Sequence, residues 1–186
     1  MSHLDYEINK ELGECYLFMG ELDKAEDYYR KAASSNGIHP DPYLGLATIA
    51  VQRGDLEGAL AMYSKAHGIE ANDKTFSGLG LVRMEQGAKA EAFDLFLAAL
   101  GKNPENMVAL LSIIRLGHEL ERLEVILPHL ESYLSIHPDK SEVRYSLAGC
   151  MVCLDRKAEA EAQLEQIMAQ DPGFAPAREL LEQLHS

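Results

Sequence analysis

The chain has 186 residues, of which 47% are apolar, enough to bury a core without disulfides or metal. Its 17 Lys and Arg against 30 Asp and Glu give a formal net charge of −13, which repels phosphate backbones and argues against nucleic acid as a partner. Charged residues at 25% and 7 Pro are the levels of a globular chain and exclude global disorder.

The first twenty residues carry Asp5, Glu7, Glu11 and Glu14 and no unbroken apolar run. A secretory leader needs a basic start and an apolar stretch of roughly 7–15 residues, so none is expected. No window approaches the roughly 18 apolar residues of a spanning helix, so membrane insertion is not expected either. Cys15, Cys150 and Cys153 are an odd, sparse set that does not suit a disulfide framework. The expectation is a cytoplasmic protein. The abrupt opening into structure also suits a piece of a longer one.

Along the chain, GELDKAEDYYRKA from Gly20, GDLEGALAMYSKA from Gly54 and GAKAEAFDLFLAA from Gly87 align, their glycines 34 and 33 residues apart. The frame continues with ERLEVILPHLESY from Glu121 and DRKAEAEAQLEQI from Asp155, and it places Gly37, Ala71, Pro104, Pro138 and Pro172 at one equivalent position. Five units follow: 6–39, 40–72, 73–106, 107–140 and 141–174. Each reads as two helices. In the second unit, PYLGLATIAVQRG has helical apolar spacing and ends at Gly54, a C-terminal capping residue. Leu56, Ala59, Leu60, Tyr63 and Ala66 then mark an amphipathic second helix. Asn103-Pro104, His137-Pro138 and Asp171-Pro172 end the second helices of later units, because the residue before proline avoids helical dihedrals. Strand signals are absent.

A helix–turn–helix unit of about 34 residues with Leu-Gly, Tyr, Ala, Tyr/Phe, Ala and Pro in this order resembles the tetratricopeptide repeat. Unit one shows Leu12, Gly13, Tyr16, Ala25, Tyr29 and Ala32; unit two shows Tyr43, Leu46, Ala47, Ala59, Tyr63 and Ala66. Unit three shows Phe76, Leu79, Gly80, Ala92, Phe96, Ala99 and Pro104. The resemblance covers nearly the whole chain and implies an all-α fold: a single domain, a right-handed α-solenoid of five hairpins. Residues 175–186 resemble the capping helix that closes the last repeat.

The residue types make physical sense without the family. Gly13/Ala25, Ala47/Ala59, Gly80/Ala92 and Ala148/Ala160 pair a small residue on each helix, letting axes approach the short end of the ~8–10 Å range. No unit buries its apolar face alone, so stability comes from stacking on neighbours. Unit four departs. Its pair is Ile114/Ile126, Glu121 replaces the turn glycine, and Pro128 falls early in the second helix, where it is tolerated only in the first turn or as a kink. This predicts a more open hairpin.

Candidate chemistry is thin. Cys150-Met151-Val152-Cys153 has thiol-motif spacing but lies late in a helix, away from the N-terminal dipole that stabilises thiolate. The three cysteines therefore read as core residues. His118-Glu119-Leu120-Glu121-Arg122 lacks the second histidine of a zinc helix. The glycines of GLGLVRMEQG lack the Gly-Lys-Ser/Thr ending of a phosphate loop. No catalytic residue, cofactor or metal is predicted.

The resemblance implies that first helices line a concave groove. Its central row is Glu11, Gly45, Gly78, Ser112 and Ser146, and four small residues there predict close approach of a ligand backbone. Leu44, Thr48, Val51, Leu81, Met84, Leu111, Tyr145 and Val152 flank the row, with Arg115 as the main cation. The family's clamp for acidic chaperone C-termini is matched at Lys10 and Lys74 but not at Glu14, Asp41, Gly45 or Gly78, so that mode is not expected. Nor is the family's asparagine ladder, since Gly and Ser stand in the central row. The expected function is a non-enzymatic adaptor holding a protein segment or helix in the groove. The alternatives are an accessory module of a larger enzyme, such as a bacterial transferase, and a unit that self-associates through the solenoid ends at Tyr6, Tyr16 and Phe18.

Overall fold

The computed structural model describes residues 3–35 and 37–185. Among them are eleven α-helices and no strand: α1 His3–Phe18, α2 Leu22–Ser35, α3 Asp41–Gln52, α4 Leu56–Ile69, α5 Asp73–Glu85, α6 Lys89–Lys102, α7 Met107–Glu119, α8 Leu123–Ile136, α9 Ser141–Cys153, α10 Lys157–Gln170 and α11 Ala175–His185. The fold is all-α and built from successive helical hairpins, as the repeat predicts. The chain divides into two compact units, Met1–Asn106 and Met107–Ser186.

In the first unit, α1/α2, α3/α4 and α5/α6 pair as hairpins, and each later hairpin stacks its first helix on the hairpin before. Ala25, Ala59 and Ala92 are fully buried, and on the facing helices Gly13 and Gly80 abut the rings of Tyr29 and Phe96, where a Cβ would lie 2.9 and 2.8 Å from them. One cluster joins Ala25 and Tyr29 of α2 to Ile49 of α3. A second joins Ala59 and Tyr63 of α4 to Ala47 of α3 and Val82 of α5. The core is therefore a series of small layers, one per junction. At α5, Asn72 and Thr75 form a reciprocal capping box, which satisfies two N–H groups that the helix itself leaves unpaired.

The second unit pairs α7 with α8 and α9 with α10, and α11 packs on α10. The fourth hairpin is the loosest: the backbones of α7 and α8 come within 8 Å of each other over less of their length than in any other hairpin. Ile126 is fully buried and Ile114 half-buried, and the looser pairing agrees with the bulk at these two positions. Pro128 does not shift the helix start. α8 begins at Leu123 and runs through the exposed proline to Ile136.

All five turns inside the hairpins share one geometry. Gly20, Gly54 and Gly87 have φ of +75°, +77° and +80°, and Glu121 and Asp155 take the same region at +56° and +58°. The following residue donates its N–H to the carbonyl five positions back, from Glu21 to Tyr16, Asp55 to Ala50, Ala88 to Arg83, Arg122 to Gly117 and Arg156 to Met151, at 2.8–2.9 Å. This is the Schellman closure, in which a left-handed residue lets the chain satisfy the last helical carbonyls.

Candidate functional site

In the first unit, α3 presents Leu44, Thr48 and Val51 at steps of four and three, and α5 presents Leu81 and Met84; all five are half-buried. Leu44 and Val51 rest on the Ala47/Ala59/Tyr63/Val82 cluster. Thr48 Oγ1 donates to the Leu44 carbonyl at 2.9 Å and shares a side-chain hydrogen bond with Tyr63, whose phenol is held above its ordinary pKa by burial. These side chains form an apolar surface on the first helices, anchored from beneath by one tyrosine.

Gly45 and Gly78 do not belong to that surface. Both are buried. A Cβ on Gly45 would lie 2.3 Å from Tyr29 Cζ, and one on Gly78 would lie 2.1 Å from Tyr63 Cε1. The expectation that their small size makes room for a ligand backbone is corrected: it makes room for the aromatic ring of the preceding hairpin. The signal was present in the sequence, since each glycine follows the repeat's tyrosine by 16 or 15 residues.

In the second unit, α7 carries Leu111 at 57% exposure, exposed Arg115 and half-buried Ser112, whose Oγ donates to the Val108 carbonyl at 2.7 Å. Tyr145 of α9 is half-buried and meets Phe174 edge-on at 5.8 Å. Cys150 is buried, its thiol pushed up to about 11 by that burial with Cys153 adding to it. His118 Nε2 lies 4.0 Å from Cys150 Sγ. A thiol kept neutral in this way is a poor nucleophile. Cys15 and Cys153 are exposed, which corrects the reading of all three cysteines as core.

Two features escape the sequence reading. Arg144 on α9 is buried and held by neutral partners: its guanidinium donates to Gln163 and Gln166 at 2.8 Å and to the Pro138 carbonyl at 2.9 Å. It stands where Asn9, Tyr43, Phe76 and Leu110 stand in the other units, and the lone charge in that column was its signal. The second feature is a cavity of about 190 Å³ over α3 between α2 and α4, with Leu46, Ile49 and Met62 on its floor and Glu26, Arg30 and Arg53 at its rim. Arg53 and Arg30 both bond the Glu26 carboxylate and hold its pKa below the usual carboxylate value. No three metal-ligating side chains converge among the described residues, and no described helix is long and apolar enough to cross a membrane.

Models of the tetratricopeptide repeat match residues 10–73 and 118–184. The BBSome complex member BBS4 of Bos taurus is 32% identical over 113 residues, 60% of this chain but 22% of that protein. The chain thus spans about a fifth of that relative's length. The solved structure of YrrB, described as a TPR protein with an unusual peptide-binding site, is 26% identical and covers 84% of this chain and 81% of its own, with a TM-score of 0.69. The structure of Pseudomonas aeruginosa pilF covers 93% of this chain and 79% of its own at 18% identity and a TM-score of 0.71, a likeness of fold alone.

Proposed function

This chain belongs to the tetratricopeptide repeat family, and from that premise we propose that it is a non-enzymatic scaffold whose first helices hold a segment of a partner protein. The observation that carries the reading is the half-buried apolar row of Leu44, Val51, Leu81 and Met84 on α3 and α5. Such a row gains by being covered, and a partner's apolar side chains would cover it. In the second unit, Leu111 of α7, with Ser112, Arg115 and Tyr145 around it, offers a second stretch for the partner segment. The likeness to YrrB, whose structure is described by its peptide-binding site, supports a peptide-like ligand. The match to a BBSome complex member supports a place in a multiprotein assembly.

The test uses peptides selected from a displayed library on the whole protein. The surface variant is Leu81→Glu with Met84→Glu, because Gly78 is buried and its replacement would disturb the core instead. The control is Glu57→Arg on the exposed side of α4. Selected peptides are expected to lose about tenfold or more in affinity on the first variant and nothing on the second. Equal binding to parent and Leu81→Glu/Met84→Glu would remove this surface from consideration.

A further inference from the structure

The cavity over α3 is one end of a longer groove. A second hollow of about 410 Å³ adjoins it and shares Arg30, Leu46 and Met62 with it. Helices α2 and α4 wall the groove and α3 floors it, on the side of α3 opposite Leu44 and Val51. The repeat supplies no further helix at this place, and at the next junction side chains close it. There Arg83 of α5 and Glu91 of α6 form an ion pair at 2.9 Å. Aligned by the repeat, their counterparts over the cavity are Ala50 and Gly58, neither of which can reach across. Gly58 instead seats the Asp55 carboxylate that caps α4. Leu46, Ala50 and Met62 are left half-buried beneath the opening.

The charges along the groove set the chemistry of its occupant. At one end Arg53 is neutralised by Glu26 and Asp23. At the other, Arg30 and Lys65 line the second hollow beside Tyr43, and no described carboxylate lines it, in a chain of net charge −13. Arg30 donates through Nε and Nη2 to one oxygen of Glu26 at 3.0 and 2.6 Å, which leaves Nη1 for another acceptor. Lys65 Nζ lies 4.3 Å over the Tyr43 ring and is ion-paired to no described residue. From Gly58 to Lys65 the groove runs about 10 Å at the helical rise. An extended chain covers about 10 Å in three residues, with the first and third side chains on one side. We propose that this groove docks an extended segment of a partner protein, with a bulky apolar side chain over Leu46, Ala50 and Met62 and an aspartate or glutamate two positions away at Arg30 and Lys65. The cationic end closes at exposed Ser34 and Lys65, past which a chain can continue, so the carboxylate is a side chain and not a C-terminus. This surface lies across α3 from the row of Leu44, Val51, Leu81 and Met84, and each stands or falls alone.

The probe is a synthetic eight-residue peptide, acetylated and amidated, with a central leucine and a glutamate two positions on among serine and glycine. One control carries lysine for the glutamate. A second lacks the glutamate and ends in leucine with a free carboxylate. In NMR titrations of the isotopically labelled whole protein at low ionic strength, the glutamate peptide is expected to bind about tenfold or more tighter than the lysine peptide. The amides of Ser34, Ala50 and Met62 should move, and those of Leu81 and Met84 should not. Lys65→Glu, at an exposed site, should reverse the preference, and Ala50→Leu, which fills the floor, should abolish binding. Leu81→Glu with Met84→Glu should leave binding unchanged, which separates this groove from the row on the other side of α3. Circular dichroism verifies that each variant keeps its helix content. No binding of the glutamate peptide, equal binding of the glutamate and lysine peptides, or a Lys65→Glu variant that keeps the parent's preference overturns the proposal. So does tighter binding of the free-carboxylate peptide, which would give the cationic end to a C-terminus.

Discussion

Gly78 and Gly149 are both helical glycines, and their neighbours separate them. A Cβ on Gly78 would sit 2.1 Å from Tyr63 Cε1 and 2.3 Å from Cδ1, whereas one on Gly149 meets nothing within 4 Å. Gly78→Ala must push aside a ring that lies in the Ala59/Val82 cluster, and overpacking of that kind costs roughly 1–3 kcal/mol. Gly149→Ala removes only the backbone freedom of glycine and should stabilise by roughly 0.5–1 kcal/mol. Urea unfolding of the two variants measures both. Two shifts of the same sign would show that the Tyr63 contact does not govern Gly78. The sequence placed Gly45 and Gly78 in one row correctly, because spacing along a helix reveals which residues share a direction. It does not reveal what stands opposite. The rings of Tyr29 and Tyr63 fill the space between units by ending on those glycines of the next unit.

The turns show the same division at the scale of elements. The repeat located all five, and its glycines implied a left-handed residue at three. Glu121 and Asp155 nevertheless adopt that region without being glycine, because the Schellman closure of each hairpin needs the conformation whatever the side chain. A non-glycine residue there costs of order 1–2 kcal/mol, less for Asp, whose short side chain tolerates it. Glu121→Gly is therefore expected to stabilise the protein by about 1 kcal/mol, against less for Asp155→Gly. The measurement is the denaturant midpoint at constant slope. An unchanged or lowered midpoint for Glu121→Gly would mean the glutamate side chain contributes more than its backbone strain. The looseness of the α7/α8 hairpin was legible from Ile114 and Ile126, since packing distance follows side-chain volume. The uninterrupted course of α8 through Pro128 was not, because the proline's exposure depends on the face it occupies.

At the scale of the molecule, five copies of one pattern made the fold legible, for each copy repeats the same statement about two helices and their turn. Surfaces were less so. A repeat specifies what is common to its copies, while Ala50, Gly58 and Arg144 matter because they differ from their equivalents. Burial also links the core to pH. Tyr6 and Tyr29 are pushed up to about 12 and Cys150 to about 11, in each case chiefly by burial. Each is an acid whose neutral form the fold favours, so its folded value lies above its unfolded one. Its contribution is fully present below the unfolded value, and it is lost as pH rises through the folded value. Stability should therefore begin to fall above pH 9 as Cys150 is drawn toward thiolate, and fall further between pH 10 and about 12 as the tyrosines follow. Cys150→Ala should remove the earlier part of the decline and Tyr29→Phe should shrink the later part, each at some cost in baseline stability. Denaturant unfolding at stepped alkaline pH, followed by circular dichroism under reducing conditions, reads both windows. A profile flat to pH 12, or a Tyr29→Phe variant that declines as steeply as the parent, would show that the buried phenol of Tyr29 does not couple its ionisation to folding.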